Sequence, residues 1–126
     1  MIAGIGTDIV AIARIARALE RHGERFAGKV LADSEQKACP QGPRRAAYVA
    51  KRFAAKEAFY KAFGEPPSEA NTWHQLAIVN DASGRPRMEF GPLLAELMRA
   101  RGVVRSHISL SDEHEHALAY VVLEKE

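Results

Sequence analysis

Two charged residues four apart, Glu57 and Lys61, stand in a run otherwise dominated by alanine and aromatic residues, RRAAYVAKRFAAKEAFYKAF. On a helix they lie about 40° apart, in a stripe shared with Ala50, Phe53, Ala54 and Ala58. One reading is an i,i+4 salt bridge, worth little at a surface. The other pairs Glu57 with Asp8, which ends the glycine-bearing segment GIGTD. One acid from a strand and one from a helix are what an octahedral Mg²⁺ commonly takes from protein, leaving positions for waters and substrate phosphates. Lys61, one turn on, would neutralise phosphate oxygens beyond the ion's reach. For Asp8 alone, capping of the following helix is the simpler role.

Three further features carry possible chemistry. Arg14, Arg17, Arg21 and Arg25 follow one another by three, four and four residues and share a face if the first helix persists or is extended by the next. Such a row suits an acidic partner, since guanidinium groups bind carboxylates in bidentate fashion, or else it is a solvated face. His107, on an expected strand, is either a ligand to a phosphate or base edge or an ordinary satisfied imidazole. Gly84-Arg85-Pro86 reads first as hairpin-turn chemistry. His114 and His116 flank an acidic surface turn.

The elements that position these groups are legible in the periodicity. Small and β-branched residues alternate from Ile2 to Val10, placing Gly4, Gly6 and Asp8 on one strand face, where absent side chains admit a backbone or ligand. A helix follows from about Ala11 to His22, with Gly23 as a left-handed cap. Short helices over Glu24–Leu31 and from Asp33 or Ser34 to Ala38 come next, the latter capped by one of those two side chains. Pro40-Gln41-Gly42-Pro43 breaks the chain, and the long helix runs from there to Phe63 with Gly64 as its stop. Glu65 to Trp73, with Pro66, Pro67, Ser68 and Asn71, is a loop by composition. A hairpin of Leu76–Val79 and Pro86–Phe90, a helix over Pro92–Arg101 and strands over Val104–Leu110 and Ala117–Glu124 complete an α+β fold, helices packed on a small antiparallel sheet.

At 126 residues, 47% hydrophobic and 27% charged, the chain suits a single domain over 1–126 with one core. No apolar run approaches the ~20 residues of a membrane helix, and the first residues lack a basic signal-peptide start. A lone Cys39 excludes an internal disulfide and fits a reducing cytoplasm. From the net charge of +2 no nucleic-acid coat can be read, and the arginines lack the interleaved aromatics of a single-strand platform. The average hides a polarity: residues 1–61 carry 12 basic and 6 acidic groups, residues 62–126 carry 6 basic and 10 acidic.

Three segments in order, Gly4-Ile5-Gly6-Thr7-Asp8-Ile9-Val10 with Arg14, Lys51-Arg52-Phe53-Ala54-Ala55-Lys56-Glu57-Ala58 with Lys61-Ala62-Phe63-Gly64, and His107-Ile108-Ser109-Leu110-Ser111, resemble the holo-[acyl-carrier-protein] synthases, the short 4′-phosphopantetheinyl transferases. The resemblance spans the chain. It implies Mg²⁺-dependent transfer of 4′-phosphopantetheine from coenzyme A to a serine of apo-acyl carrier protein, releasing adenosine 3′,5′-bisphosphate, in fatty acid biosynthesis. It further implies Asp8 and Glu57 as metal ligands, Glu57 and Lys61 as catalytic, and Arg52, Lys61, Gly84, Arg85, Pro86 and His107 near the nucleotide. Arg14, Arg21 and Arg25 would dock the acidic carrier, and relatives form trimers with interfacial active sites. The serine proton would go to Glu57 or to a water at the ion. Two departures stand out: Glu65-Pro66-Pro67 replaces a Thr-Gly-aliphatic continuation, and Asp112 replaces a histidine common after Ser-Leu-Ser. The competing reading is a non-catalytic basic-helix module binding an acidic protein; a more distant one is a Mg²⁺-dependent nucleotide phosphohydrolase on the same acid pair.

Overall fold

A computed structural model of the chain describes residues 1–68 and 72–126. The first strand, β1 (Ile2–Ala11), leads directly into α1 (Ile12–His22), α2 (Glu24–Val30) and α3 (Asp33–Ala38). A single 3₁₀ turn over Gly42–Arg44 opens α4 (Arg45–Phe63). After a second such turn, Trp73–Gln75, come β2 (Leu76–Asn80), β3 (Pro86–Phe90), α5 (Pro92–Ala100), β4 (Val103–Asp112) and β5 (His116–Lys125). The α+β expectation holds, with one correction: the strands form two sheets, an antiparallel β1-β5-β4 and a separate β2-β3 hairpin. The final strands are longer than periodicity indicated, leaving 113–115 as their turn. Of the expected loop over Glu65–Trp73, residues 69–71, Asn71 among them, lie outside the described residues.

The long helix lies across the three-stranded sheet, and glycine decides how closely. A Cβ on Gly4 would stand 1.9 Å from the Ala62 carbonyl oxygen, and one on Gly6 2.0 Å from that of Ala58. Strand and helix backbones therefore touch with no side chain between them. Val10, Ala117, Ala119, Val121 and Leu123 complete the sheet's inner face against Ala54, Ala58 and Ala62. Its outer face is left apolar and open: Ile5, Ile9, Leu118 and Tyr120 are exposed, Ile9 by 59%.

Two helix ends differ from expectation. Gly23 has the predicted positive φ of 53°, but its ψ of −131° is outside the left-handed helical region and reachable only without a Cβ. The chain turns sharply there, so Arg25 belongs to α2 and the arginine row is broken after Arg21. At α3 neither Asp33 nor Ser34 caps. Glu35 accepts from the Ala32 N–H at 2.8 Å instead.

Glu35 is drawn inward by Lys56, whose side chain is equally buried. The ammonium donates to Glu35 Oε1 and the Val30 carbonyl, both at 2.6 Å, and to the Trp73 carbonyl at 3.0 Å. The other Glu35 oxygen accepts from the Ile78 N–H at 2.8 Å. One ion pair thus ties α2, α3, α4 and β2 together. Desolvation pushes the Lys56 ammonium below its ordinary range, and the adjoining Glu35 carboxylate opposes that shift.

Candidate functional site

Asp8 emerges on the inner face of β1 just beyond the two glycines, where α4 carries Glu57 and Lys61. Lys61 leaves its own helix: its Nζ donates to the Thr7 carbonyl at 2.9 Å and meets Asp8 Oδ1 at 3.3 Å. The expected i,i+4 partner, Glu57, is a half-buried carboxyl pushed above the usual range. Burial is the main cause and the charge of Asp8 the next; Lys61 and Arg14 act in the opposite sense. Asp8, Glu57, Lys61 and Arg14 therefore form one electrostatic group assembled from β1, α1 and α4. Arg14 holds its place by lying over the Phe53 ring, 5.5 Å from the centroid. Tyr60 borders the group, its hydroxyl pKa raised by burial and by the Glu57 charge.

The donor chemistry fits a hard divalent cation. Two neighbouring carboxylates repel each other, and burial raises the cost of charging Glu57; an ion between them relieves both. Among the described residues no three His, Cys, Asp or Glu side chains converge as a metal cluster. The protein's share at this pair is two carboxylates, the number Mg²⁺ commonly accepts beside waters and phosphate oxygens.

Arg85, Pro86 and His107 come together elsewhere. With Arg87 and Ser109 they line a cleft of about 420 Å³ between β3 and β4. Asp81 shapes its rim: Oδ1 accepts from the N–H groups of Ser83 and Arg85, and Gly84 takes a φ of 86°. Gly84 sits in the hairpin turn, as its residue type indicated, and Arg85 and Pro86 share the cleft with His107. The acid pair lies at the opposite edge of the three-stranded sheet, because β5 separates β1 from β4.

Arg52 joins neither group. It is buried over the Tyr48 ring, 3.8 Å from the centroid, and Tyr48 donates to the Glu35 carbonyl at 2.7 Å. Arg14, Arg17, Arg21 and Arg25 are all exposed, and of these Arg14 reaches the acid pair. Asp112 faces Lys51 at 3.6 Å. A hollow of about 720 Å³ is bounded by Ile12, Pro43, Ala47 and the acidic stretch 112–115, whose carboxylates disfavour phosphate. Lys56 and Glu35 are the residues that sequence reasoning missed. The one available signal was a lysine with no acid three or four residues away and with Phe53 and Phe59 one turn to either side.

The strand-borne and helix-borne acids thus meet at a glycine-spaced seam beside an α+β core. Residues 4–121 match the 4′-phosphopantetheinyl transferase superfamily. The chain belongs to the holo-[acyl-carrier-protein] synthases within it: it is 51% identical to the holo-[acyl-carrier-protein] synthase of Halorhodospira halophila, over 98% of each chain. The crystal structure of that enzyme from Neisseria meningitidis is similar at a TM-score of 0.94 and 44% identity, covering 99% of this chain and 100% of that one. The holo-(acyl-carrier-protein) synthase of Bacillus anthracis, solved in complex with CoA (3′,5′-ADP), matches at a TM-score of 0.82 and 32% identity, covering 100% and 99%.

Proposed function

We propose that this enzyme transfers 4′-phosphopantetheine from coenzyme A to a serine of apo-acyl carrier protein, releasing adenosine 3′,5′-bisphosphate, with Mg²⁺ held by Asp8 and Glu57. The observation that carries the reading is the convergence of Asp8, Glu57 and Lys61 at the β1–α4 seam. A bound Mg²⁺ would neutralise the donor pyrophosphate and so make its pantetheine-side phosphorus attackable. Lys61, more than half exposed, is free to swing its ammonium from Asp8 to phosphate oxygens as charge builds on them. The attacking hydroxyl's proton would pass to Glu57 or to a water at the ion. A module using Glu57 only to stabilise its fold would not keep that carboxyl desolvated beside a second acid. That contrast disfavours the non-catalytic alternative.

The same reading makes the working enzyme a homotrimer with composite sites. Within one chain the acid pair and the Arg85–His107 cleft occupy opposite sheet edges, so a donor spanning both needs a second copy. The open apolar face bearing Ile5, Ile9, Leu118 and Tyr120 supports that assembly. Arg14 and Arg21 on α1 and Arg25 on α2 form the docking surface for the acidic carrier, with Arg14 nearest the chemistry. The free thiol of Cys39 suits a cytoplasmic enzyme, and its product serves fatty acid biosynthesis.

Incubation of the protein with apo-carrier, coenzyme A and Mg²⁺ should add one phosphopantetheine to the carrier, read by intact-mass spectrometry. Glu57→Gln and Asp8→Asn should remove the addition while leaving the circular dichroism spectrum unchanged. A folded wild-type protein giving no mass gain refutes the activity, and near-normal turnover in either variant refutes the metal assignment.

A further inference from the structure

Beside the Arg85–His107 cleft lies a second carboxylate that no part of the transfer scheme above uses. Glu124, on β5, accepts from His107 Nε2 at 2.5 Å and from Arg105 Nε at 3.3 Å, both on the same Oε1. Strand geometry accounts for the meeting. Arg105 is directly opposite Glu124 in the β4–β5 register, and His107, opposite Val122, is its diagonal neighbour on the same face. The two donors hold the Glu124 carboxyl below the usual range, His107 contributing most. Within one chain Arg105 and His107 are more than half exposed, on the outer sheet face that also bears Leu118 and Tyr120. An ion pair in that setting adds little to the stability of the chain itself, so its folding is a poor explanation.

Its geometric effect is specific. Occupying Nε2 fixes the ring and its tautomer, and leaves Nδ1 as the nitrogen that a ligand in the cleft can meet. When the ring holds a second proton, that proton sits on Nδ1, where a phosphate oxygen can accept it. Arg85, just before β3, and Arg87 on it line the same cleft and supply the remaining positive charge.

We infer that Glu124 is a positioning residue for the transfer reaction, holding His107 so that Nδ1 faces the nucleotide end of the coenzyme A donor. The inference rests on the reading of this cleft as the nucleotide site. It predicts a donor-binding effect without a chemical one, because the reacting phosphorus lies at the acid pair. In steady-state assays at saturating apo-carrier, Glu124→Ala should raise KM for coenzyme A about tenfold, the usual order for a lost hydrogen bond to a charged group, with kcat unchanged. Glu124→Gln retains an oxygen that accepts Nε2–H and should stay within about threefold of wild type. In a His107→Ala background, Glu124→Ala should add nothing further. A Glu124→Ala variant with unchanged KM, or one whose penalty persists without His107, overturns the positioning role. If His107→Ala itself leaves KM for coenzyme A unchanged, the assignment of the cleft fails instead. Thermal melts of each variant separate these outcomes from a purely structural effect, which would lower Tm without the KM pattern.

Discussion

Replacing Lys56 by methionine keeps the length and volume of the side chain but removes its charge and three donors. In the native protein both members of the Lys56–Glu35 pair are fully buried. The substitution would leave Glu35 holding only the N–H groups of Ala32 and Ile78, and would strip the Val30 and Trp73 carbonyls of their shared donor. Breaking a buried pair by removing one partner costs about 3–5 kcal/mol, against a total stability on the order of 5–15 kcal/mol for a domain of this kind. With roughly 3–5 °C per kcal/mol at this chain length, Tm should fall by about 10–25 °C. Urea denaturation followed by far-UV circular dichroism, at fixed protomer concentration, measures the loss directly. A deficit below about 1 kcal/mol would refute the claim that this pair ties the helices to β2. Converting both partners, Lys56→Met with Glu35→Leu, should recover part of the loss but not all, since the Ala32 and Ile78 N–H groups then lack an acceptor.

Gly6→Ala would set a methyl group 2.0 Å from the Ala58 carbonyl oxygen, forcing β1 off α4; we expect a stability loss near or above about 3 kcal/mol and no transfer activity, by melts and mass spectrometry. Glu57→Gln should stabilise the metal-free protein at neutral pH: a carboxyl raised in the fold costs stability once pH passes from the ordinary range through its folded value, and the amide does not ionise. The gain in Tm should vanish near pH 4, and an equal gain there would show a packing effect instead. Tyr120→Asp on the open sheet face should leave a folded protomer of lower molecular mass by sedimentation, and with composite sites that species should be inactive. Arg14→Glu and Arg21→Glu should raise KM for the carrier without altering KM for coenzyme A, and the wild-type carrier KM should rise with salt.

Much of the molecule is written locally. The alternation across GIGTD, the alanine-rich run before Gly64 and the turn residues around Gly84 fix β1, α4 and the hairpin, because strand period, helix propensity and positive-φ glycine are properties of neighbours in the chain. The same local patterns single out Asp8, Glu57 and Lys61 as acids and a base held on otherwise apolar or glycine-bearing faces. Contact is another matter. That Lys61 turns to Asp8, that Glu35 rather than Asp33 serves the start of α3, and that Arg52 packs over Tyr48 depend on which surfaces meet. Those partners lie 53, 3 and 4 residues apart, so even short separations do not reveal them when a third residue decides the geometry. Glu35 turns inward because Lys56 waits 21 residues further on. The sequence by itself determined the elements and the kinds of chemistry they carry. The tertiary structure decided which charges meet, since Coulomb energy and desolvation act through space and have no register in the chain.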